Sequence, residues 1–559
     1  MCGIAFACVQ EECDVISRIE PNVRRRGPDE FEVHAIPLQQ HRLKLVFASS
    51  LLQLRGHTRR APLRDLDNDS GPRILLYNGE VYEGLPGLDR PEVNDGEQLF
   101  EALGSGEVAA VMSRLRGPWA FIYYDCGVLW WGRDVMGRKS LLMVREGPGL
   151  VLTSVSQVAP SKGSMCVEVV PGLYRASLED IIRGDPAAFI RVAWEDKVLA
   201  ALADYGRTNV VGEGDGRALA AGASQQLLDL LSEAVAKRCA TTNHPSIDSD
   251  FSSEKDARFM VLFSGGVDST LIAGLLHKAL PAHEPIELCS ICFTADGTSP
   301  DRLGALDAYE ELKSLFPDRR WKFIAVEGTY GDLRSQKDKV MTLLMPHDSV
   351  MDFNIGGALW LASAGVGRLI DVCLPTDDNG AEGGQVPAAP SFRVVEDRFV
   401  SKARVVFLGH GADELFGGYS RHRTRFTKGG WPALSEEIQL DVRRIWERNF
   451  GRDDRVVSDR GKEGRLPFMD ERVIHFALTS PLSSLVDFSQ PAGVGDKRIL
   501  RACLRALGLE RASRRVKRAM QFGTRLAKAS NEAMFGSNTQ ANRRHGGGRA
   551  RAGHESDRK

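Results

Sequence analysis

Phe259-Met260-Val261-Leu262-Phe263-Ser264-Gly265-Gly266-Val267-Asp268-Ser269 is the stretch around which the rest of the chain can be read. Its first five residues form a continuous apolar run, which suits a strand buried on both faces. The turn Ser264 to Ser269 breaks that run. Thr270 to Leu280 then reads as a helix that packs through Leu271, Ala273, Gly274, Leu275 and Leu276. A buried strand, a glycine turn and a helix N-terminus together make a phosphate cradle, because the turn leaves N–H groups unspent and the helix start carries about half a positive charge. Gly265 and Gly266 let a phosphate approach the backbone, and Ser264, Ser269 and Thr270 offer hydroxyl donors. No lysine follows the glycines, which excludes a GxxxxGK[ST] loop. Two glycines alone would mark only a capped turn. The full hexapeptide behind a buried strand favours phosphate.

The chain has 559 residues, enough for about two to four domains with substantial cores. Apolar residues make up 43% and charged residues 26%, as in ordinary globular proteins, and a net charge of −1 gives no global electrostatic case for nucleic acid or an anionic membrane. No apolar run approaches a membrane span, and MCGIAFACV lacks the basic and apolar regions of a signal peptide, so a cytoplasmic protein is expected. Ten cysteines without a regular framework agree with reduced thiols. Cys289 and Cys292 form a CxxC inside an apolar run, with no second pair to complete a zinc site, and read as buried strand cysteines.

Residues 1 to about 180 hold short apolar or alternating strands at 3–7, 44–48, 73–77, 119–124, 128–131 and 150–153, with helices at 97–103 and 108–115. That mixture predicts an α+β sandwich. Asp204 to Arg217 reads as a polar, glycine-rich linker and Ala220 to Arg238 as a helix, followed by an exposed loop over 241–256. Strands and helices then alternate through 286–293, 305–315, 321–326, 355–364 and 403–408, which predicts a doubly wound parallel sheet. Asp377 to Asp397 reads as a loop-like insertion. Beyond Leu434 the chain turns mainly helical, and Ser530 to Lys559 reads as a disordered basic tail.

Cys2 follows the initiator methionine, which is readily removed before a small residue. That would place a thiol and a free α-amine on one residue, and an amine of pKa about 8 can take the thiol's proton directly or through water. Further along stand Arg26-Gly27-Pro28-Asp29, Tyr77-Asn78-Gly79-Glu80-Val81-Tyr82, Asn94-Asp95-Gly96-Glu97, Leu115 to Phe121 and Gly132 to Lys139. Together these segments resemble a class II glutamine amidotransferase domain of the N-terminal-nucleophile fold, an αββα sandwich. The resemblance implies that Cys2 is the nucleophile and that Asn78 and Gly79 form the oxyanion hole, where an attacked amide develops negative charge. It also implies that Asp95, with Glu80, binds glutamine's α-amino group and that Arg55 grips its carboxylate, Arg59 being the rival. The 115–121 and 132–139 segments are implied to be structural.

The SGGVDS turn resembles the loop of ATP pyrophosphatases, which split ATP between the α- and β-phosphates. An amidotransferase domain followed by that loop resembles the glutamine-dependent asparagine synthetase family, to about residue 528. Gly411-Ala412-Asp413-Glu414-Leu415-Phe416-Gly417-Gly418-Tyr419, Arg452-Asp453-Asp454-Arg455, Glu463 to Asp470 and Lys497 match further family segments in order. The resemblance implies an ATP site of Leu262, Ser264, Gly265, Gly266, Asp268, Ser269, Gly409 and Lys497, with Mg²⁺ held by Asp268 and Asp413. It implies glutamine, aspartate or another carboxylate, and ATP as substrates, no nucleic acid or membrane partner, and allows a homodimer. The implied organisation is an amidotransferase domain over 2–200, a linker over 201–219, an α/β pyrophosphatase domain with a helical C-terminal part over 220–529, and a tail over 530–559.

One position departs from the family. Gly409-His410-Gly411 stands where the family has a glutamate between glycines. A histidine can accept a proton but cannot supply a carboxylate's fixed charge. The leading expectation is glutamine hydrolysis at Cys2, with ammonia passed inside the protein to an aspartyl adenylate, giving asparagine, AMP and pyrophosphate. The alternatives are a different acceptor carboxylate, or a synthetase half that is a weakly active regulatory or binding module.

Overall fold

The computed structural model of the chain describes residues 2–56, 61–67, 71–90, 92–146, 149–156, 165–184, 186–205, 222–242, 255–372 and 392–535. The N-terminal part contains a pair of six-stranded sheets. One runs in the order Met165–Glu168, Leu142–Glu146, Gly149–Thr153, Cys2–Gln10, Leu43–Leu51, Glu30–Leu38, and is antiparallel throughout. The other runs Ile190–Val192, Gly172–Ser177, Val128–Arg133, Trp119–Asp125, Arg73–Gly79, Leu63–Asp65, also antiparallel.

Alternation along the strands explains the layering. Ile4, Phe6, Leu45, Phe47, Ile74, Leu76, Ala120 and Ile122 point between the sheets into a shared core. Their neighbours Ala5, Ala7, Val46 and Ala48 point outward, where Val15, Ile19 and Val23 of the helix Val15–Arg26 cover them. Leu75, Tyr77, Phe121 and Tyr123 point outward from the second sheet onto the helices Asp95–Leu103 and Val108–Arg114. The layers are therefore helix, sheet, sheet, helix, as expected. The sequence reading missed the edge strands Glu30–Leu38, Leu63–Asp65, Met165–Glu168 and Ile190–Val192, whose charged and half-exposed residues hide the apolar period, and also the interior strands Leu142–Glu146 and Gly172–Ser177.

The third sheet has seven strands, in the order Phe392–Val400, Val366–Val372, Trp321–Glu327, Ile286–Cys292, Phe259–Leu262, Val405–Phe407, Glu463–Arg465. Phe259 and Val261 enter the core on one face and Met260 the core on the other, which is why this strand is apolar without interruption. The expected wholly parallel sheet is corrected here. The strands from Trp321–Glu327 to Glu463–Arg465 are parallel, but Val366–Val372 and Phe392–Val400 are antiparallel additions. Two helical passes, Lys337–Leu344 and Val350–Ser363, bring the chain back to the end of the sheet where Glu327 left it, so the next strand runs in reverse. The expected loop over 377–397 is corrected at its end, since Phe392–Val400 is an almost fully exposed edge strand. The tail expected from Ser530 is corrected as well, because the helix Leu526–Phe535 crosses that boundary. The proposed linker lies largely, and the rest of the tail wholly, outside the described residues.

Ion pairs join the two halves, one of them from the 132–139 segment read as structural. Arg26 pairs with Asp454 at 2.7 Å, Arg138 with Glu471 at 2.6 Å, Arg455 with Glu168 at 2.8 Å, and Arg404 with Asp29 at 2.5 Å. Arg138 also donates to the Met469 carbonyl at 2.7 Å and to Asp134 at 2.9 Å. The Arg26, Arg138 and Arg455 guanidiniums are buried together with their carboxylates, so these pairs fix orientation more than they add net stability. No helix among the described residues is long and apolar enough to cross a membrane.

Candidate functional sites

At the N-terminal site, Cys2 begins the strand Cys2–Gln10 and pairs in register with Leu51. Its side chain lies outside the described residues. The next residues are pinned: Gly3 N–H donates to Ser50 Oγ at 2.9 Å and Ile4 N–H to Ser154 Oγ at 3.0 Å, while Ser50 Oγ donates to the Val23 carbonyl at 2.6 Å. Asn78 and Gly79 end the strand Arg73–Gly79 of the facing sheet, and Asn78 is fully buried. A methyl group on Gly79 would lie 2.5 Å from the Pro118 carbonyl oxygen, so only glycine fits there.

The loop after Gly79 folds over Asp95. Its Oδ2 accepts from Tyr77 Oη at 3.0 Å and from the Val81 N–H at 2.8 Å. Burial, then Asp95, then Glu80 push the Tyr77 phenol well up, so it stays a donor. Asn94 caps the helix Asp95–Leu103 by accepting from Glu97 N–H at 3.1 Å and donates to the Arg55 carbonyl at 3.2 Å. Arg55 is buried. It donates to the carbonyls of Val81 at 3.4 Å, Arg90 at 3.3 Å and Leu88, and so holds the loop that carries Glu80. Arg59 lies outside the described residues. The structure thus gathers Asn78, Gly79, Glu80, Asp95 and Arg55 in one place.

The second site surrounds the turn Ser264–Gly266. Gly265 has φ +67°, and a methyl there would meet the Gly304 carbonyl oxygen at 2.2 Å. At Gly266, by contrast, a methyl would meet only the flexible Ser264 Oγ, at 3.2 Å. It caps the helix Val267–Ala279, which begins three residues earlier than read and so places Asp268 in its first turn. Lys497 Nζ sits 2.6 Å from Asp268 Oδ2 and 2.6 Å from Asp413 Oδ1, and Lys517 Nζ lies 2.6 Å from Asp413 Oδ2. Burial pushes the Asp413 carboxyl up, but the Lys497 and Lys517 ammoniums outweigh it and hold the group below the usual carboxylate range. Lys497 has φ +50° and is 1% exposed, a side chain placed by the fold rather than left in solvent.

These groups line a cavity of about 420 Å³ with Ser264, Gly266, Ser269, Gly409 and His410. Leu262, Ile355, Leu359 and Leu408 supply an apolar wall, and Arg515 and Arg518 add cations at the rim. Gly409 is required because a methyl there would lie 2.8 Å from Asp268 Cβ. Among the described residues no group of three His, Cys, Asp or Glu side chains forms a self-sufficient metal site. Two carboxylates beside a glycine cradle instead suit Mg²⁺ carried in on phosphate oxygens. Asp268 Oδ1, buried without a hydrogen-bond partner, is an atom free for that duty.

His410 faces the same cavity, and its Nδ1 lies 3.1 Å from Oδ2 of the buried Asp453. Arg452 Nε holds Asp453 Oδ1 at 2.9 Å, and its NH1 reaches Asp352 at 2.7 Å. Burial pushes Asp453 up, but Arg452 and His410 overcome this and keep it ionised. Burial and then Asp413 push the Glu414 carboxyl up, where Tyr419 Oη donates at 2.6 Å and Asn449 at 2.7 Å. Asp453 and Lys517 were missed as site residues in the sequence. Asp453 stands in an Arg/Asp run that was matched to the family without a role for each residue, and Lys517 is one basic residue among several.

These features define a chain with an antiparallel two-sheet sandwich bearing a cysteine at the start of an interior strand, joined to a mixed sheet with a glycine cradle and a carboxylate pair. The chain belongs to the asparagine synthase family. The family model described as asparagine synthase matches residues 252–315, 382–432 and 425–537. The chain is 30% identical to asparagine synthetase domain-containing protein 1 of Gallus gallus, covering 96% of this chain and 99% of the relative. Its Homo sapiens counterpart is 29% identical over 94% of each chain. The glutamine-hydrolysing asparagine synthetase of Pongo abelii is 24% identical, with 86% of this chain and 77% of the relative covered.

Proposed function

We propose that this protein is an ATP- and Mg²⁺-dependent amidotransferase that takes ammonia from glutamine and delivers it to a carboxylate, with aspartate the acceptor and asparagine the product. The observation that carries the reading is the pair Asp268 and Asp413 drawn onto Lys497 beside the Gly265-Gly266 turn, in the cavity that also holds His410 and Asp453. Residues 2–200 serve as the glutaminase domain and residues from 220 to the helix Leu526–Phe535 as the synthetase domain.

In the first half-reaction the Cys2 thiolate attacks the glutamine side-chain carbonyl, with the α-amine of the same residue taking the thiol proton and passing it to the leaving nitrogen. The C–N bond breaks to release ammonia, and water then cleaves the thioester to glutamate. Asn78 and Gly79 donate to the oxyanion, Asp95 and Glu80 hold the substrate ammonium, and Arg55 serves the carboxylate. In the second, an acceptor carboxylate oxygen displaces pyrophosphate from the α-phosphorus of ATP. Ammonia attacks the resulting acyl carbon and AMP leaves. Mg²⁺ held by Asp268 and Asp413 would offset the charge on the pyrophosphate, and Lys497 and Lys517 neutralise the same group. His410, oriented by Asp453, takes the proton that the attacking nitrogen loses.

The His410–Asp453 pair also favours a second reading, in which the acceptor is a carboxylate other than aspartate, because histidine is not a fixed anion. The test is pyrophosphate exchange into ATP, measured with aspartate and with a panel of related carboxylates. Exchange driven by aspartate above all others is expected. Exchange driven by another carboxylate alone would move the assignment to that acceptor, and none with any would leave a binding module.

A further inference from the structure

We propose that Arg465, a residue of the synthetase sheet, is a positioning residue of the glutamine site and holds the Glu80 carboxylate in place for glutamine's α-ammonium. The inference rests on the glutaminase reading above. Arg465 ends the strand Glu463–Arg465, at the edge of the seven-stranded sheet, and is 1% exposed. Its NH2 lies 2.9 Å from Glu80 Oε2 and its Nε 3.1 Å from Glu463 Oε1. NH1 donates to Thr242 Oγ1 at 2.6 Å, to Thr241 Oγ1 at 3.3 Å and to the Arg238 carbonyl. Every nitrogen of the guanidinium is therefore committed, and Glu80 is held by a rigid donor supplied by the other half of the protein.

Glu80 itself is 3% exposed, and its second oxygen, Oε1, is buried without a hydrogen-bond partner. An ammonium is the ligand that such an oxygen suits. The groups around Glu80 leave it short of positive charge. Glu463 faces it from the same strand as Arg465, Asp95 from the helix Asp95–Leu103, and the Tyr77 and Tyr82 phenols from its own segment. Arg238 lies over the Tyr82 ring at 4.8 Å, and Lys139 acts on Glu463. Arg465 is thus the cation shared by Glu80 and Glu463. Burial pushes the Glu80 carboxyl up to about 7 even with Arg465 in place, and Glu463 and Asp95 push in the same direction. Without Arg465, Glu80 is protonated at neutral pH and loses its attraction for an ammonium.

The experiment measures glutamine hydrolysis by the full chain from about pH 6 to about pH 9, comparing wild type, Arg465→Met and Glu463→Gln. The Arg465 main chain still accepts from Leu408 N–H in the variant, so the sheet pairing is preserved. Arg465→Met is expected to raise the glutamine KM at neutral pH about fivefold or more, the effect of a one-unit rise in the Glu80 pKa, with kcat within about twofold. The acid limb of the KM profile then moves to higher pH. Glu463→Gln is expected to move the same limb to lower pH, because it removes a neighbouring negative charge, and it remains informative if Arg465→Met fails to fold. A purely structural role gives no such opposite shifts. Limbs that stay put, or that move in the same direction in active variants, overturn the inference alone. A wild type that hydrolyses no glutamine overturns the glutaminase reading and this inference with it.

Discussion

Replacing Lys497 by methionine removes the ammonium that lies 2.6 Å from Asp268 and 2.6 Å from Asp413 while keeping most of the side-chain volume. Asp413 retains Lys517 at 2.6 Å, but Asp268 loses its hydrogen-bond donor. Breaking a fully buried pair costs about 3–5 kcal/mol. The Asp268 and Asp413 side chains are 15% and 13% exposed to the cavity, so the lower end, about 3 kcal/mol, applies. For a domain of this size that corresponds to a fall of roughly 5 °C in the melting transition of the synthetase half. A divalent cation then answers the exposed need for charge. Mg²⁺ at about 100 times its Kd returns about 2.7 kcal/mol to the variant, and less to the wild type, whose carboxylates already hold Lys497. Calorimetry with and without Mg²⁺, together with pyrophosphate exchange into ATP, measures all three effects, and exchange is expected to fall by at least about a hundredfold. A variant that melts with the wild type in both conditions and still exchanges pyrophosphate would refute the role given to Lys497.

Three further substitutions test separate features. Gly266→Ala adds a methyl whose nearest neighbour is Ser264 Oγ at 3.2 Å, so the melting temperature should hold while the KM for ATP rises at least about tenfold; unchanged ATP kinetics would remove this face as the phosphate seat. His410→Glu sets a second carboxylate against Asp453, now 3.1 Å from the ring, and is expected to lower aspartate-dependent AMP formation about tenfold or more; a sharp rise would support the altered-acceptor reading. Glu287 lies on the strand Ile286–Cys292 of the central sheet, accepts from Ser401 Oγ, and is pushed by burial from 4.5 up to about 7. A carboxyl raised in the folded state favours the fold while protonated, so this contribution fades as pH rises from about 4.5 to about 7, by roughly 3 kcal/mol. Urea midpoints of Glu287→Gln should match the wild type near pH 5 and exceed it near pH 8, and parallel profiles would contradict the shift.

What could be read in the sequence was what repeats or what is local. The run Gly3 to Ala7 read as a strand of a sandwich, and the run Phe259–Phe263 marked a strand covered on both sides. Edge strands escaped notice because Phe392–Val400 and Glu30–Leu38 do not present a clean buried face. The sheet was read as parallel for a related reason. The direction of Val366–Val372 depends on two helices returning together, which no local pattern encodes. At the sites, the glycine turn, Asp268, Asp413 and Lys497 were legible as motif residues, and the structure brings them together. Partners far along the chain were not. Arg26 meets Asp454 across 428 positions, and Arg465 meets Glu80 across 385. His410 was visible as a departure, but Asp453 beside it became evident only when the helix Gly451–Ser458 was set against the cavity.

The most direct measurement uses glutamine labelled with ¹⁵N in its side-chain amide, aspartate and Mg-ATP, with the intact protein, and quantifies glutamate, asparagine and AMP together. Asparagine carrying the label, formed in step with glutamate and AMP and abolished by chelating Mg²⁺, is the expected result. Glutamate released without AMP, or AMP formed with unlabelled or absent asparagine, would contradict ammonia transfer from the Cys2 site to an aspartyl adenylate.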